Sequence, residues 1–488
     1  MQAMRSLALV LFATLSLVAA GCGSNSTAGG ISTGPSAAAQ LKPGALVYLE
    51  TVSDPGSDQW QQAEELLRRF PDGDRWIEQL RRMIADEGVD WEQDVAPALG
   101  ETTAVAIYPP RHDVVALTNP EDPDRTIALV KKLDVQEADS TATRVVGDWV
   151  AISSTEAAID DALKAANGDS LADNESFTSA MSTPPDDALS RVYADPAGAL
   201  EMLASANPEA ASAFRMLGAD RLDFAGAWLK AKDDGAELAF TVGGDGAARL
   251  FGTGEPYSSG LLQRVPADAL AFVSFQGSGA TGQLEKLKDN PLYAMGLRRF
   301  EREVGVKLEE LVSLADGEIA FYARMALPFP ELTLLLESSN PQGARASAER
   351  LLRGLAQREG GEVTEDGDVT TAVIDGVAVN LGSVDDVVVF TTSKNAFDEL
   401  AGSGDKLPDS DRWRSGLESA GVPDEYTSLA YVDLGEALGL LELYWRFNSE
   451  PKVVPEELAR NLRALKTLVA WGELDGDVAT GRAFLEID

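Results

Sequence analysis

The sequence predicts an α+β protein made of two homologous repeats, each a mainly antiparallel sheet packed with helices. Two self-matches indicate the duplication: residues 88–101 align without gaps on 305–318, and residues 185–200 align on 423–438, with seven identities in each block. A third observation is that strand patterns pair across short turns while helical patterns gather between the pairs, which is typical of α+β folds.

The first repeat opens on the short apolar strand Ala45–Leu49 and continues with two amphipathic helices. A short third helix ends at Gly100, as a glycine after the last helical residue often indicates. A further helix, a strand, one or two helices and two closing strands complete the repeat around its hairpins. The expected hairpins are Thr103–Tyr108 with Val114–Thr118 and Arg144–Val146 with Trp149–Ser153. Apolar spacing of three and four residues predicts the first two helices: Trp60, Ala63, Leu66, Leu67 and Phe70, then Trp76, Leu80, Met83 and Ile84.

The second repeat follows the same order. Its opening strand is Ala269–Phe275, and the Gly-rich stretch 243–260 separates it from the first repeat, so the predicted domains are 42–250 and 251–488. Its helical positions are Leu284, Leu287, Leu292, Met295 and Phe300. Its expected hairpins are Ile319–Arg324 with Leu332–Glu337 and Val369–Ile374 with Val387–Thr392.

Composition excludes several classes of function. Lys and Arg number 41 against 79 Asp and Glu, so the net charge is −38, and such a surface repels nucleic acid and nucleotides. The chain has one His and one Cys, which excludes disulfides, Cys-rich metal centres and triads that need a second imidazole. We therefore expect no cofactor, no metal and no enzymatic activity.

The N-terminal residues 1–21 resemble a bacterial lipoprotein signal peptide. Arg5 precedes the apolar run Leu7–Val18, and the small residues 19–21 stand directly before Cys22. The resemblance implies a diacylglycerol thioether on Cys22, cleavage between Gly21 and Cys22, and an extracytoplasmic protein held at the membrane. An ordinary signal peptide with a free cysteine, or a retained membrane anchor, is the alternative.

Residues 22–41 predict a flexible linker between the lipidated cysteine and the folded body. Residues 23–40 consist mainly of Gly, Ser, Thr and Ala. A chain of that length and composition has a root-mean-square reach of about 20–25 Å. The linker would lift an acidic body clear of an acidic membrane surface.

The two repeats together resemble an uncharacterised bacterial family of secreted and membrane-attached proteins, domain of unknown function 3352. The resemblance rests on the opening strand Val265–Phe272, on the Gly-Glu start of the strand after a short helix, and on a late Pro-Asp … Tyr-x-Asp element. It covers Pro43 to the C-terminus. It implies a fold and a location, and no chemistry.

Four short patterns allow both a functional and a structural interpretation. Gly277–Gly282 fits the G-x-G-x-x-G of dinucleotide sites, and Ser403–Lys406 fits the S-x-x-K of acyl transferases, yet each lacks the accompanying motifs and is expected to be a loop. The Asp-Gly pairs at 72–73, 366–367 and 475–476 suit calcium ligands or, more simply, tight turns. His112 is expected to be solvated at a hairpin tip.

Two carboxylate positions recur in the aligned blocks, Glu101 with Glu318 and Asp195 with Asp433. Paired carboxylates can act as general acid and general base. Solvation at strand ends, or helix capping, accounts for them equally without any chemistry.

One hairpin tip is the predicted contact site. Leu327 and Phe329 occupy the first turn of the second repeat, where turns normally carry Gly, Asn or Asp. Either the tip folds against the neighbouring repeat, or both side chains dock into a partner or a bilayer.

These observations predict a cell-envelope lipoprotein that acts as a non-enzymatic binding or scaffold module. Its expected partners are the membrane, through the lipid anchor, and another envelope protein or a wall polymer. A carrier of a hydrophobic ligand and a carboxylate-based extracytoplasmic hydrolase are the alternatives.

Overall fold

A computed structural model of the chain describes residues 36–86, 88–109, 113–134, 141–163, 168–216, 218–247, 255–277, 314, 316–326, 330–374, 376–438 and 456–488. These residues form an α+β fold with antiparallel strand pairing, as predicted. They divide into two compact units. Unit 1 contains residues 1–250, 454–464 and 476–488, and unit 2 contains residues 251–453 and 465–475.

The described strands are numbered in chain order. They are β1 Val47–Val52, β2 Thr102–Tyr108, β3 Asp113–Thr118, β4 Ala142–Val146, β5 Trp149–Ser153, β6 Ser190–Ala194, β7 Phe224–Lys232, β8 Gly235–Gly243, β9 Ala269–Gln276, β10 Glu318–Arg324, β11 Glu331–Glu337, β12 Val363–Asp366, β13 Val369–Ile374, β14 Val377–Val384, β15 Val387–Thr391, β16 Ser428–Asp433, β17 Leu465–Asp475 and β18 Val478–Ile487.

The described α-helices are numbered in the same way. They are α1 Asp58–Arg68, α2 Gly73–Asp86, α3 Pro123–Asp134, α4 Glu156–Ala162, α5 Glu175–Ser182, α6 Pro196–Ala206, α7 Pro208–Met216, α8 Pro341–Arg358, α9 Asn395–Ala401, α10 Asp411–Ala420 and α11 Glu456–Leu462. No helix in this described part of the chain is both long and apolar enough to cross a bilayer.

The sheet of unit 1 has the strand order β4-β5-β3-β2-β1-β6-β7-β8-β18. The sheet of unit 2 has the order β12-β13-β14-β15-β11-β10-β9-β16-β17. In each sheet the opening strand, β1 or β9, lies at the centre between the first hairpin and a later strand. The two units therefore share the order of their central strands.

One expected hairpin of the second repeat is wrong. Val369–Ile374 does not pair with Val387–Thr391, because β14 lies between them and pairs with both. The turn from β14 to β15 passes through Asp385, whose φ of 52° lies in the left-handed region that Asp tolerates better than most residues. Unit 2 thus has the additional strands β12 and β13 at the edge of its sheet.

The last described strand belongs to unit 1, although the sequence repeat groups it with residues 251–488. β18 pairs with β8 from Val478–Gly243 through Glu486–Gly235. This antiparallel ladder accounts for the assignment of residues 476–488 to unit 1.

Helices cover one side of the central strands in unit 1. Phe177 of α5 packs edge-on against Tyr48 and Tyr193, at ring-centroid distances of 5.1 and 5.3 Å. Burial raises the pKa of Tyr193 to about 12, with a smaller effect from Asp195. The chain enters this core at Ala37 and Leu41, both fully buried.

Candidate functional site

Three neighbouring strands of unit 1 present a side that carries no charged or polar side chain. We call it the three-strand face. Cross-strand pairing aligns Ala227 with Phe240 and Phe240 with Gly481. Leu238 is 41% exposed and Phe240 is 54% exposed, so the face is open at β8. Its members are Ala225, Ala227, Leu229, Leu238, Phe240, Val242, Ala479, Gly481 and Ala483.

The opposite side of the same three strands is covered and charged. Glu237 is buried there, with oxygens 2.8 Å from Lys232 Nζ and 3.1 Å from Arg482 Nη1. The Arg482 guanidinium lies over the ring of Trp228, which is almost fully buried. These strands are therefore partly inverted relative to the usual pattern. Glu237 is buried beside Trp228 and Phe484 on the covered side, while Leu238 and Phe240 are exposed on the other.

Such an inversion has a free-energy cost on both sides. Burying an ion pair rarely gains more than its desolvation costs, and exposed Phe and Leu side chains forgo about 1.5–3 kcal/mol each of burial. Sequences that break the local rules of folding without compensation do so mainly at functional sites. The three-strand face is accordingly a candidate for a binding surface.

A second feature of unit 1 is an acidic cleft of about 730 Å³. Asp54, Glu101, Glu121 and Asp122 line it, together with Arg125, whose Nε lies 3.7 Å from Asp122. Such a lining favours cations over phosphate groups. Across the described ranges, no group of three or more His, Cys, Asp or Glu residues is arranged to hold a metal ion.

Glu101 and Glu318 do not occupy equivalent positions in the two units. Thr102 pairs with Val52, and Glu318 pairs with Gln276, which is the counterpart of Val52 in the opening strands. The aligned glutamates are thus offset by one residue in the sheet. Because side chains alternate between the two faces of a strand, this offset leaves Glu101 exposed at the cleft and Glu318 buried.

Glu318 is held by four hydrogen bonds. Its Oε1 accepts from the hydroxyls of Ser259 and Ser274, and its Oε2 accepts from the backbone N–H groups of Gly260 and Leu261 at 2.8 and 3.0 Å. Tyr257 hydroxyl lies 2.5 Å from Ser274 Oγ, and burial raises the pKa of Tyr257. With both oxygens engaged in this way, Glu318 fixes residues 257–264 to β10.

Asp195 and Asp433 both act as caps at the end of a strand. Asp195 Oδ1 accepts from the N–H of Ala197 at 3.0 Å, in the first turn of α6. Asp433 Oδ1 accepts from the N–H of Glu436 at 3.0 Å, and its Oδ2 pairs with Arg412 at 2.7 Å. The recurrence of these two residues follows from capping.

We expect Asp195→Ala to destabilise α6 by about 1 kcal/mol, the usual cost of losing an N-cap. Native-state hydrogen exchange over residues 196–206 measures the effect. Asp195→Asn is the matched control, since Asn caps as well as Asp, and it should remain close to the natural protein. An equal loss in both variants would show that the charge, rather than the cap, is needed.

The other sequence patterns have structural roles where they are described. Lys406 Nζ donates to the carbonyl of Glu399 at 2.8 Å, while Ser403 is exposed in a loop. Gly367 and Gly476 have φ near +60° in hairpin turns, as the Asp-Gly interpretation predicts. Asp72-Gly73 instead begins α2, and Asp72 binds Arg460 and Asn461, with hydrogen bonds that lower the pKa of its carboxyl.

The site residues predicted from the sequence lie outside the described residues. These are Cys22, Leu327 and Phe329, as well as His112 and most of the glycine-rich stretch 277–282. Of the described residues near the tip, Met325 and Leu332 are exposed, whereas Glu331 is buried. The apolar character that sequence analysis noticed at 327 and 329 therefore extends into the adjoining hairpin.

A family model described as a protein of unknown function, DUF3352, matches residues 121–473, well over half of the chain. The chain belongs to the DUF3352 family. The DUF3352 match begins before α3 and ends within β17, so it includes β7 and β8 of the three-strand face but stops before β18.

Comparison with other proteins adds little to the DUF3352 assignment. The sequence matches none of the curated proteins. The structure of TP0453 in crystal form IV shares 12% sequence identity with this chain and has a TM-score of 0.24. The match covers 47% of this chain and 92% of that chain. The structure of TP0453 in crystal form I shares 10% sequence identity with this chain and has a TM-score of 0.25. The match covers 47% of this chain and 90% of that chain.

Sequence analysis did not identify the three-strand face. The alternation in Phe224–Lys232 and Gly235–Gly243 was a sufficient signal for strands. It did not indicate which side the helices would cover, because both sides contain large apolar residues. Lys232, Glu237 and Arg482 lie on the covered side. Because charged side chains usually face solvent, they lead to the wrong prediction that this side is exposed.

Proposed function

We propose that this DUF3352 protein is an extracytoplasmic lipoprotein, acylated at Cys22, that acts as a non-enzymatic binding module. The observation that carries the proposal is the three-strand face, a charge-free open surface on a chain of net charge −38. Exposed apolar patches on otherwise polar proteins are typical of interaction sites. The lipoprotein-like signal and the linker expected after Cys22 support the location. The linker is shorter than the predicted range 22–41, because Ala37–Gln40 form a short 3₁₀ helix and Leu41 is buried in the core of unit 1.

The proposal includes an origin by duplication. The repeated sequence blocks and the shared order of the central strands support two copies of one fold. The one-residue offset at Glu101 and Glu318, and the added strands β12 and β13, would then be divergence after the duplication.

A second contact surface in this proposal is the hairpin tip that contains Leu327 and Phe329. Exposed Met325 and Leu332 on the two strands next to the tip support an apolar surface there, although Glu331 beside the tip is buried. An envelope protein or a wall polymer is the expected partner.

We expect Leu327→Ser/Phe329→Ser to leave stability within about 0.5 kcal/mol of the natural protein, as is usual for exposed positions. The same variant should lose the partner that co-purifies from detergent-solubilised membranes, measured by quantitative mass spectrometry. The polar first-unit turn supplies the control, Arg111→Ser/His112→Ser, which should retain that partner. A loss of about 1.5–3 kcal/mol per side chain would instead mark the tip as domain packing.

A carrier of a hydrophobic ligand is the second candidate function. The three-strand face favours it, because an acyl chain needs an apolar surface and no hydrogen-bonding group. A carrier would bind free fatty acid stoichiometrically, whereas a docking module would not, and isothermal titration with a soluble fatty acid separates the two.

A further inference from the structure

We propose that the three-strand face docks onto the hydrocarbon region of the bilayer to which the chain is tethered. This inference rests on the proposed anchoring through Cys22 and adds a second, reversible membrane contact. The occupant is the acyl region of zwitterionic phospholipid. A protein partner and a second copy of the chain are the competing occupants.

The chemistry of the face suits hydrocarbon. β8 is paired on both sides, with β7 and with β18, so its backbone N–H and C=O groups are used within the sheet. None of the nine residues of the face has a side-chain donor or acceptor. Protein interfaces combine an apolar centre with a rim of hydrogen bonds, whereas lipid chains require none.

The tether ends in the same unit as the face. Thirteen residues, 23–35, separate Cys22 from Ser36, the first described residue, and Ala37 and Leu41 fix the chain in the core of unit 1. A flexible segment of this length spans about 20 Å. From β1, the strand that follows this attachment, to β8 is three interstrand steps, about 14 Å.

Because the chain is tethered to the membrane, a low affinity of the three-strand face for lipid is sufficient for docking. A short flexible linker holds the two partners at an effective concentration in the millimolar range, so a contact that binds the free protein only weakly is largely occupied in the tethered protein. Two exposed side chains, Leu238 and Phe240, supply the apolar contact.

Net charge sets the preferred lipid. Most peripheral proteins approach anionic membranes through basic residues, but a chain with 79 acidic and 41 basic residues is repelled by them. Docking should therefore be stronger on phosphatidylcholine than on phosphatidylglycerol vesicles. Added salt should reduce the difference by screening the repulsion.

The test uses the chain from residue 22 to 488 with Cys22→Ser, so that no lipid anchor contributes. Flotation with phosphatidylcholine vesicles measures its partition between vesicles and solution. Leu238→Ser/Phe240→Ser should reduce the partition by about tenfold or more. The matched control is Met83→Ser/Val145→Ser, which changes residues of similar exposure, 44% and 48%, that do not belong to the face.

A second measurement covers the case in which serine variants fold poorly. Cys22 is the only cysteine, so Cys22→Ser/Phe240→Cys accepts a single environment-sensitive fluorophore. Its emission should shift to the blue with vesicles, while the same label in Cys22→Ser/Val145→Cys should not respond.

Three results would overturn the proposal. These are equal partition of the face variant and the control variant, an unresponsive label at position 240, and a dimer in light scattering that disappears with Leu238→Ser/Phe240→Ser while vesicles are not bound. The last result would assign the face to a second copy. Because these proteins lack the lipid, each of these outcomes leaves the acylation of Cys22 to be judged separately.

Discussion

Replacing Arg324 by leucine is expected to lower the free energy of unfolding of unit 2 by about 3–5 kcal/mol. Arg324 Nε and Nη2 each lie 2.9 Å from an oxygen of Glu331, whose side chain is 1% exposed. Tyr322 hydroxyl donates to the same carboxylate at 3.1 Å. Without the guanidinium, Glu331 would keep a buried charge with one remaining donor.

Replacing Glu331, the partner of Arg324, should lower the free energy of unfolding by less. Glu331→Leu leaves Arg324 with Glu399 and Asp268, both of which contact the guanidinium from positions more exposed than Glu331. Although burial opposes it, hydrogen bonding to Glu331 together with these carboxylates raises the pKa of Arg324, so the group stays charged. The double variant should recover most of the stability lost in Arg324→Leu, because it leaves no unpaired buried carboxylate.

Native-state hydrogen exchange on β10 and β11 measures the stability of unit 2 in the two single variants and the double variant. It does not require a two-state transition, which a chain of two units need not show. Arg353→Leu is the surface control, since its partners Glu349 and Glu365 lie at the exterior, and it should cost below about 1 kcal/mol. A small loss in Arg324→Leu would show that water reaches Glu331 in solution.

Replacing Cys22 by alanine is expected to move nearly all of the protein from the membrane to the soluble extracytoplasmic fraction, or to leave an uncleaved precursor. Two or three acyl chains hold a protein firmly, because each buried CH₂ contributes about 0.8 kcal/mol. Contact through Leu238 and Phe240 alone is reversible. An alkaline carbonate wash should therefore release the variant and retain the natural protein.

Ser24→Ala is the control for this experiment, because it changes the linker next to the lipid site and leaves Cys22 intact. Incorporation of a labelled fatty acid gives an independent readout and should be absent only from Cys22→Ala. A Cys22→Ala protein that is normally processed and resists the carbonate wash would refute lipid anchoring.

Local patterns were enough to predict much of the fold. The hairpin expected at 103–108 and 114–118 is observed as β2 and β3, which pair from Thr103–Thr118 to Tyr108–Asp113. Alternation of apolar residues and short turns determine such pairs without knowledge of the rest of the chain. The same reasoning failed for Val369–Ile374, because β14 is a strand of equal quality inserted between the two segments.

The candidate site depended on information that is not local. Glu101 and Glu318 align in sequence, but the pairing register of their strands places one at a cleft and the other beneath four donors. Likewise, the sequence alone places Leu238 and Phe240 in the core, because only the position of α5 shows which side of the sheet is covered. Gly226 shows which side α5 covers, since a Cβ there would lie 3.6 Å from the carbonyl oxygen of Ala180.

The pairing of β8 with β18 has a consequence for biosynthesis. The two strands lie about 240 residues apart, so under the proposed export from the N-terminus β8 would present an unpaired edge until β18 has also crossed the membrane. Closing so long a loop is slow, and an open edge can pair with another chain in the meantime. Secretion of this protein should therefore depend on extracytoplasmic folding factors that shield β8 during translocation.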